Sequence, residues 1–125
     1  MKPRDTALQL KRFEAAEKAR KVAAMETMVL DLEQVAADLA RQIAAEEERT
    51  GVKDPAHFAY STFAKAAAQR RANLLTSVAD LKAKLDRAKR DHEAAVLELG
   101  KLDPSEVHDG DRQMGKPDSN RLMIG

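Results

Sequence analysis

The chain has 125 residues, no cysteine and a formal net charge of +1. Disulfide and thiol chemistry are thereby excluded, and total charge alone gives no reason to expect a nucleic-acid or membrane partner. Charged residues make up 34% and aromatics only 3%, with 23 alanines, so large apolar side chains are too few for a rounded core and burial should run along a helical seam.

Taken in order, the chain opens on MKPRDTALQLKRFEAAEKAR, which is too polar for a signal peptide. No apolar run approaches the length needed to span a bilayer. The composition therefore points to a cytoplasmic protein, at most peripheral to a membrane. A first helix is expected over about 5–49, with Asp5 or Thr6 capping its free N–H groups. No Gly or Pro follows until Gly51. From Val22 the apolar residues Val22, Met25, Val29, Leu32, Ala36, Leu39 and Ile43 alternate gaps of three and four, which is a heptad seam. Upstream the register weakens. Leu8, Ala15 and Ala19 continue a face, Lys11 and Lys18 intrude on it, and Leu10 and Phe13 lie partly on another.

A corner follows over 50–61. Gly51 suits the left-handed end of a helix, and Asp54-Pro55 suits a cap followed by a first helical residue. A short helical turn is expected from Pro55 to Tyr60. Ser61 either caps a fresh helix or sits inside a continuous one. The stretch Thr50–Ala68 holds three of the four aromatics, Phe58, Tyr60 and Phe63, together with His57. One function for them is packing, with Phe63 and Ala67 covering Ile43. The other is an exposed aromatic patch, because HFAY places rings too close together for all to face a thin seam.

The second helix is expected over about 62–102. Its seam is Leu74, Val78, Leu81, Leu85, Ala88, His92, Ala95, Leu99 and Leu102. Gly100 and Asp103-Pro104 stop it. The two seams fold onto each other in antiparallel register. Leu39 with Leu74, Ala36 with Val78, Leu32 with Leu81, Val29 with Leu85 and Met25 with Ala88 have position numbers summing to 113 or 114. Charge agrees. Residues 22–49 carry seven acidic and two basic side chains, whereas 65–90 carry eight basic and two acidic. The fold expected is all-α, an antiparallel two-helix coiled-coil hairpin over 1–102. A disordered tail is expected over 103–125, whose composition turns to Gly, Pro and acidic residues without period. Its RLMIG cluster is read as a frayed end rather than a docking peptide.

No phosphate-cradling glycine loop, HExxH, paired-cysteine or calcium-loop spacing occurs. His57, His92 and His108 fall in the corner, the second seam and the tail, so no metal site is expected. The Glu46-Glu47-Glu48 run reads as a solvated helix end. His92 is either a pH-sensitive latch or a tolerated polar seam residue, and the second is favoured. No nucleophile–base pair is sheltered from water, so neither catalysis nor a cofactor is expected. The region Met1–Lys21 carries seven basic against three acidic residues, and 82–90 adds a second basic face.

The hairpin pattern, the basic N-terminal region and the bend EEERTGVKDPAHFAYSTFAKAAAQRR together resemble the alphaproteobacterial branch of the FliJ family of flagellar export proteins. The segment RTG-x-x-DP-x-HFAY is the distinctive part, and the resemblance covers about 1–102. It implies a soluble component of the flagellar type III export apparatus. Such a component resembles the central stalk of a rotary ATPase, enters the hexameric export ATPase, contacts the cytoplasmic domain of the export gate and handles export chaperones. On this chain the implied ATPase-facing residues are Arg4, Lys11, Arg12, Lys18, Arg20, Lys21, Lys89 and Arg90. The implied gate-contacting residues are His57, Phe58, Tyr60 and Phe63. Two alternatives stand beside this: a general coiled-coil scaffold that self-associates, and a non-specific nucleic-acid binder. A specific nucleic-acid ligand is not expected, because only Phe13 interleaves with the cations.

Overall fold

The computed structural model describes residues 3–102, and the tail over 103–125 lies outside them. The chain is all-α, two long helices packed against each other. Helix α1 spans Pro3–Thr50 and α2 spans Thr62–Leu102, 48 and 41 residues respectively. Helix α1 begins at Pro3, ahead of Asp5. Proline suits the first helical position because its missing N–H would have no partner there. Asp5 then lies in the first turn, where a carboxylate meets the positive end of the helix dipole.

The chain divides into two compact units, Ala24–Asp86 and a terminal unit of Met1–Ala23 with Arg87–Gly125. In the first, the buried residues are Val29, Ala36 and Leu39 on α1 and Ala64, Ala67, Val78 and Leu85 on α2. Leu32, Ile43, Leu74 and Leu81 are half-buried. Glu33 and Lys82 join across the helices at 3.0 Å, one residue beyond the expected pair Leu32 and Leu81. That ion pair agrees with the antiparallel register that the seam sets within this unit. The seam of α2 also starts earlier than its large apolar residues suggest. Ala64, Ala67 and Arg71 extend the three-and-four spacing back from Leu74. Ala64 is fully buried at 0% exposure.

In the terminal unit, Ala15, Ala88 and Leu99 are buried. Leu8, Lys11, Lys18, Val22, His92 and Ala95 are half-buried. Lys11 and Lys18 therefore occupy seam positions. Their alkyl stems substitute for apolar side chains while the ammonium groups reach the edge. The register continues through them instead of dissolving. Leu102, expected in the seam, is 39% exposed at the last turn of α2, where the pairing frays.

Both helix ends at the corner are closed by local chemistry. Gly51 takes φ = 74° and its N–H donates to the Glu47 carbonyl at 2.9 Å, which ends α1 in a left-handed cap. Ser61 opens α2: its Oγ accepts from the Ala64 N–H at 3.1 Å. Ser61 is thus the N-cap of a separate helix.

No large side chain among the described residues is fully enclosed. Each buried leucine or valine still contributes on the order of 1.5–3 kcal/mol by leaving water. Leu39→Ala is therefore expected to cost about 2–3 kcal/mol, and Met28→Ala, on an exposed face, less than about 0.5 kcal/mol. Gly51→Ala is expected to cost about 1 kcal/mol through its left-handed φ alone, since a Cβ there meets nothing within 4 Å. Urea melts of the three variants beside the parent check these values.

Candidate functional site

The corner is built by two successive tight turns, not the single helical turn expected over Pro55–Tyr60. The His57 N–H donates to the Asp54 carbonyl, and the Tyr60 N–H to the His57 carbonyl, both at 3.0 Å. Asp54 Oδ1 also accepts from the Ala56 N–H at 2.9 Å, the Asx geometry that fixes the first turn. His57 Nδ1 accepts from the Ala59 N–H at 2.9 Å and fixes the second. These side chain–backbone bonds supply partners that a helix would otherwise provide, so the chain turns twice within seven residues.

This scaffold sorts the candidate aromatics. Phe58 is 96% exposed and stacks on His57, with ring centroids 4.7 Å apart and planes 23° apart. Phe63 is 55% exposed and lies over a groove it shares with Leu39, Gln42, Ala67 and Arg70. It does not plug the seam beneath it; that place belongs to Ala64. Tyr60 turns the other way. Its hydroxyl donates to Glu47 Oε2 at 2.6 Å, and it is half-buried. His57, Phe58 and Phe63 are thus outward groups, whereas Tyr60 is a strut.

The acidic run at the end of α1 is not simply solvated. Glu46 accepts from Ser61 Oγ at 2.6 Å and from both Nε and Nη2 of Arg49, at 2.9 and 2.8 Å. Its side chain is 16% exposed. Glu48 alone keeps the expected character, paired loosely with Lys53 at 3.7 Å. Tyr60 and Ser61, thirteen and fifteen residues along the chain, supply the hydroxyl donors that meet these carboxylates once the corner is built. Three carboxylates at a helix C-terminus oppose the dipole, and these donors offset that cost.

The basic candidates lie in the terminal unit, and they fall into two groups. Lys11 and Lys18 line a cavity of about 230 Å³ together with Glu14, Asp91, Ala95 and Glu98. Lys11 pairs with Glu14 at 3.6 Å. Glu98 pairs with Lys101 at 3.0 Å, and the hydrogen bond and charge of Lys101, helped by the charge of Lys11, hold its carboxyl below the usual range. These two lysines thus share a cavity with carboxylates and do not form an outward cationic face. Arg20 bonds Glu17 at 2.8 Å on the outer surface, and each keeps the other charged. Arg4, Arg12, Lys21, Lys89 and Arg90 are exposed. His92 is half-buried in the same unit. Among the described residues no three histidine or carboxylate side chains converge on a point that would hold a metal ion.

The hydrogen bonds from Arg49 and Ser61 hold the Glu46 carboxyl down at about 2, against an ordinary value of 4.5. Its folded-state value lies below the unfolded one, so its contribution is complete above pH 4.5 and is lost as pH falls toward 2. The hydrogen bond to Glu47 raises the Tyr60 phenol above its ordinary value of 10.0. That contribution is complete below pH 10 and is lost as the phenol ionises above it. Glu46→Gln is expected to flatten part of the acid limb of stability, and Tyr60→Phe the alkaline limb. Urea midpoints measured from pH 2 to 11 check both. No family model matches the chain, and no curated protein or solved structure does either.

Proposed function

We propose that this chain is a non-enzymatic component of the flagellar type III export apparatus, in which it serves as a two-ended adaptor. One region engages the hexameric export ATPase in the manner of a central stalk. The corner contacts the cytoplasmic domain of the export gate. Export chaperones are further clients, and the setting is the cytoplasm, at the inner face of the membrane that carries the gate. Among the described residues no helix is long and apolar enough to cross that membrane.

The observation that carries this reading is Phe58. A side chain 96% exposed on a corner fixed by four short hydrogen bonds is poor packing and good recognition. The turn geometry is satisfied by Asp54 and His57 and does not use the Phe58 ring. Aromatic anchors of this kind often dominate an interface. The exposed cations Arg4, Arg12, Lys21, Lys89 and Arg90 supply the second contact, suited to acidic surface inside a protein ring. Placement of Lys11 and Lys18 among carboxylates weighs against a general polyanion binder, which needs its cations turned outward.

The mechanism is allosteric. A stiff helical pair within a ring meets each subunit differently and biases the ring toward states it binds unequally. The test uses outward residues only, since Tyr60 and Lys18 also support the fold. Tagged protein is used to capture partners from a flagellated alphaproteobacterium, as the parent, Phe58→Ala, and Lys21→Glu with Arg90→Glu. The gate protein is expected to be lost about tenfold or more in Phe58→Ala, the scale of a hot-spot residue. The ATPase is expected to be lost in the charge-reversed variant, together with stimulation of ATP hydrolysis by sub-stoichiometric protein. Capture of neither by the folded parent overturns the proposal.

A further inference from the structure

The antiparallel pairing of the terminal unit does not use the whole of α1. Ala15 and Leu99 are both buried, and Lys18 and Ala95 line one cavity, pairs whose position numbers sum to 114 and 113. The same sum sets Leu102, the last residue of α2, level with Lys11. Residues 3–10 of α1 therefore run past the end of α2 by about two turns, or about 12 Å at 1.5 Å per residue. The seam spacing does not stop there: Arg4, Leu8, Lys11 and Ala15 follow one another at gaps of four, three and four. Among the described residues no element lies opposite this stretch, and Arg4 on it is exposed.

Position, reach and charge name one occupant for this face, residues 103–111, which lie outside the described residues. The chain leaves α2 at Leu102, and Pro104 keeps Asp103 from continuing the helix, so this segment starts beside the uncovered face. About four extended residues at roughly 3.3 Å each span the overhang, so Asp103 falls near Lys11 and Glu106 comes level with Arg4. The segment, DPSEVHDGD, carries Asp103, Glu106, Asp109 and Asp111 and no Lys or Arg. Residues 3–12 carry Arg4, Lys11 and Arg12 against Asp5 alone. The helix dipoles act in the same sense. Carboxylates are repelled from the C-terminal end of α2 and attracted to the N-terminal end of α1, and the antiparallel pairing sets those two ends side by side.

We infer that the first turns of α1 are a docking site for residues 103–111 of the same chain, with the Glu106 carboxylate on the Arg4 guanidinium. Lys11 is the lesser contact, because it already pairs with Glu14 at 3.6 Å. Exposed ion pairs are individually weak. Attachment to α2 makes these intramolecular, so the segment is held at high effective concentration and no second molecule has to be captured. Added salt screens the contact and releases the segment. On the export reading, and only there, the docked segment occupies one of the cations given to the ATPase, so an acidic ring surface competes with it for Arg4. The docking itself does not depend on that reading.

The test uses the full chain, which lacks cysteine, so Ala7→Cys at an exposed position takes a single nitroxide label close to Arg4. Relaxation enhancement of the amide protons of residues 105–109 then reads how near the segment lies. At low salt it is expected to be about twofold or more greater in the otherwise unchanged chain than with Arg4→Glu added. Raising salt to about 0.5 M, where the screening length is about 4 Å, is expected to bring the same fall. Glu106→Arg alone is expected to act as Arg4→Glu does, and the two together to restore the enhancement, which loss of helix could not do. Arg4→Glu adds a carboxylate to the first turn of α1, where the dipole favours it, and unchanged circular dichroism checks that the helix stays intact. Equal enhancement with and without Arg4→Glu, no response to salt, or no recovery in the double variant overturns the inference. No partner protein enters this experiment and it shares no variant with the capture test, so its failure and that of the export reading are told apart.

Discussion

Two helices can hide only one stripe each, and everything else in this protein follows from that constraint. Among the described residues there is no third layer to cover a second face, so the seam carries the burial. Of the ten buried apolar positions among the described residues, alanine fills five, which keeps the stripe narrow. The remaining surface is decided by charge, by short i,i+3 pairs such as Arg41 with Asp38, and by the corner. Exposed i,i+3 pairs contribute little each, typically a few tenths of a kcal/mol. The register therefore rests on the seam and on a few groups that span the helices.

The corner shows how much local chemistry such a thin fold needs. Its turns are closed by Asp54 and His57, its helix ends by Gly51 and Ser61, and its two sides are tied by Tyr60 to Glu47 and Ser61 to Glu46. These groups order the backbone on both sides of Phe58, and only His57 touches its ring. A partner that takes up that ring meets backbone already ordered, so less conformational freedom is lost on binding.

Much of this was legible in the sequence. Heptad spacing over Val22–Ile43 and Leu74–Leu99 is a strong signal because it repeats many times, and opposed charge on the two halves supports the antiparallel sense. The signal failed where side-chain identity and position part company. Lys11, Lys18 and Arg71 hold seam positions although they read as polar, because long aliphatic stems pack as apolar groups do. Phe63 reads equally as a plug or as part of an exposed patch, and it stays out, since Ala64 already fills the site beneath it. Glu46 and Glu47 read as solvated because a carboxylate run carries no mark of which hydroxyl will find it. Partners thirteen and fifteen residues away become visible only once the turn is built.

The lysines in the terminal seam have a consequence for how the molecule breathes. A seam position held by an alkyl stem and an edge ammonium gains less from closure than one held by leucine, and its charged head is solvated equally well when the helices part. Opening of the terminal unit therefore costs less free energy than opening of the Ala24–Asp86 unit, whose seam runs through Val29, Leu39, Val78 and Leu85. In hydrogen-exchange terms the chain holds two foldons of unequal protection. Amides of Lys11–Val22 exchange through local opening, while those of Val29–Leu39 wait for the cooperative loss of the helical pair.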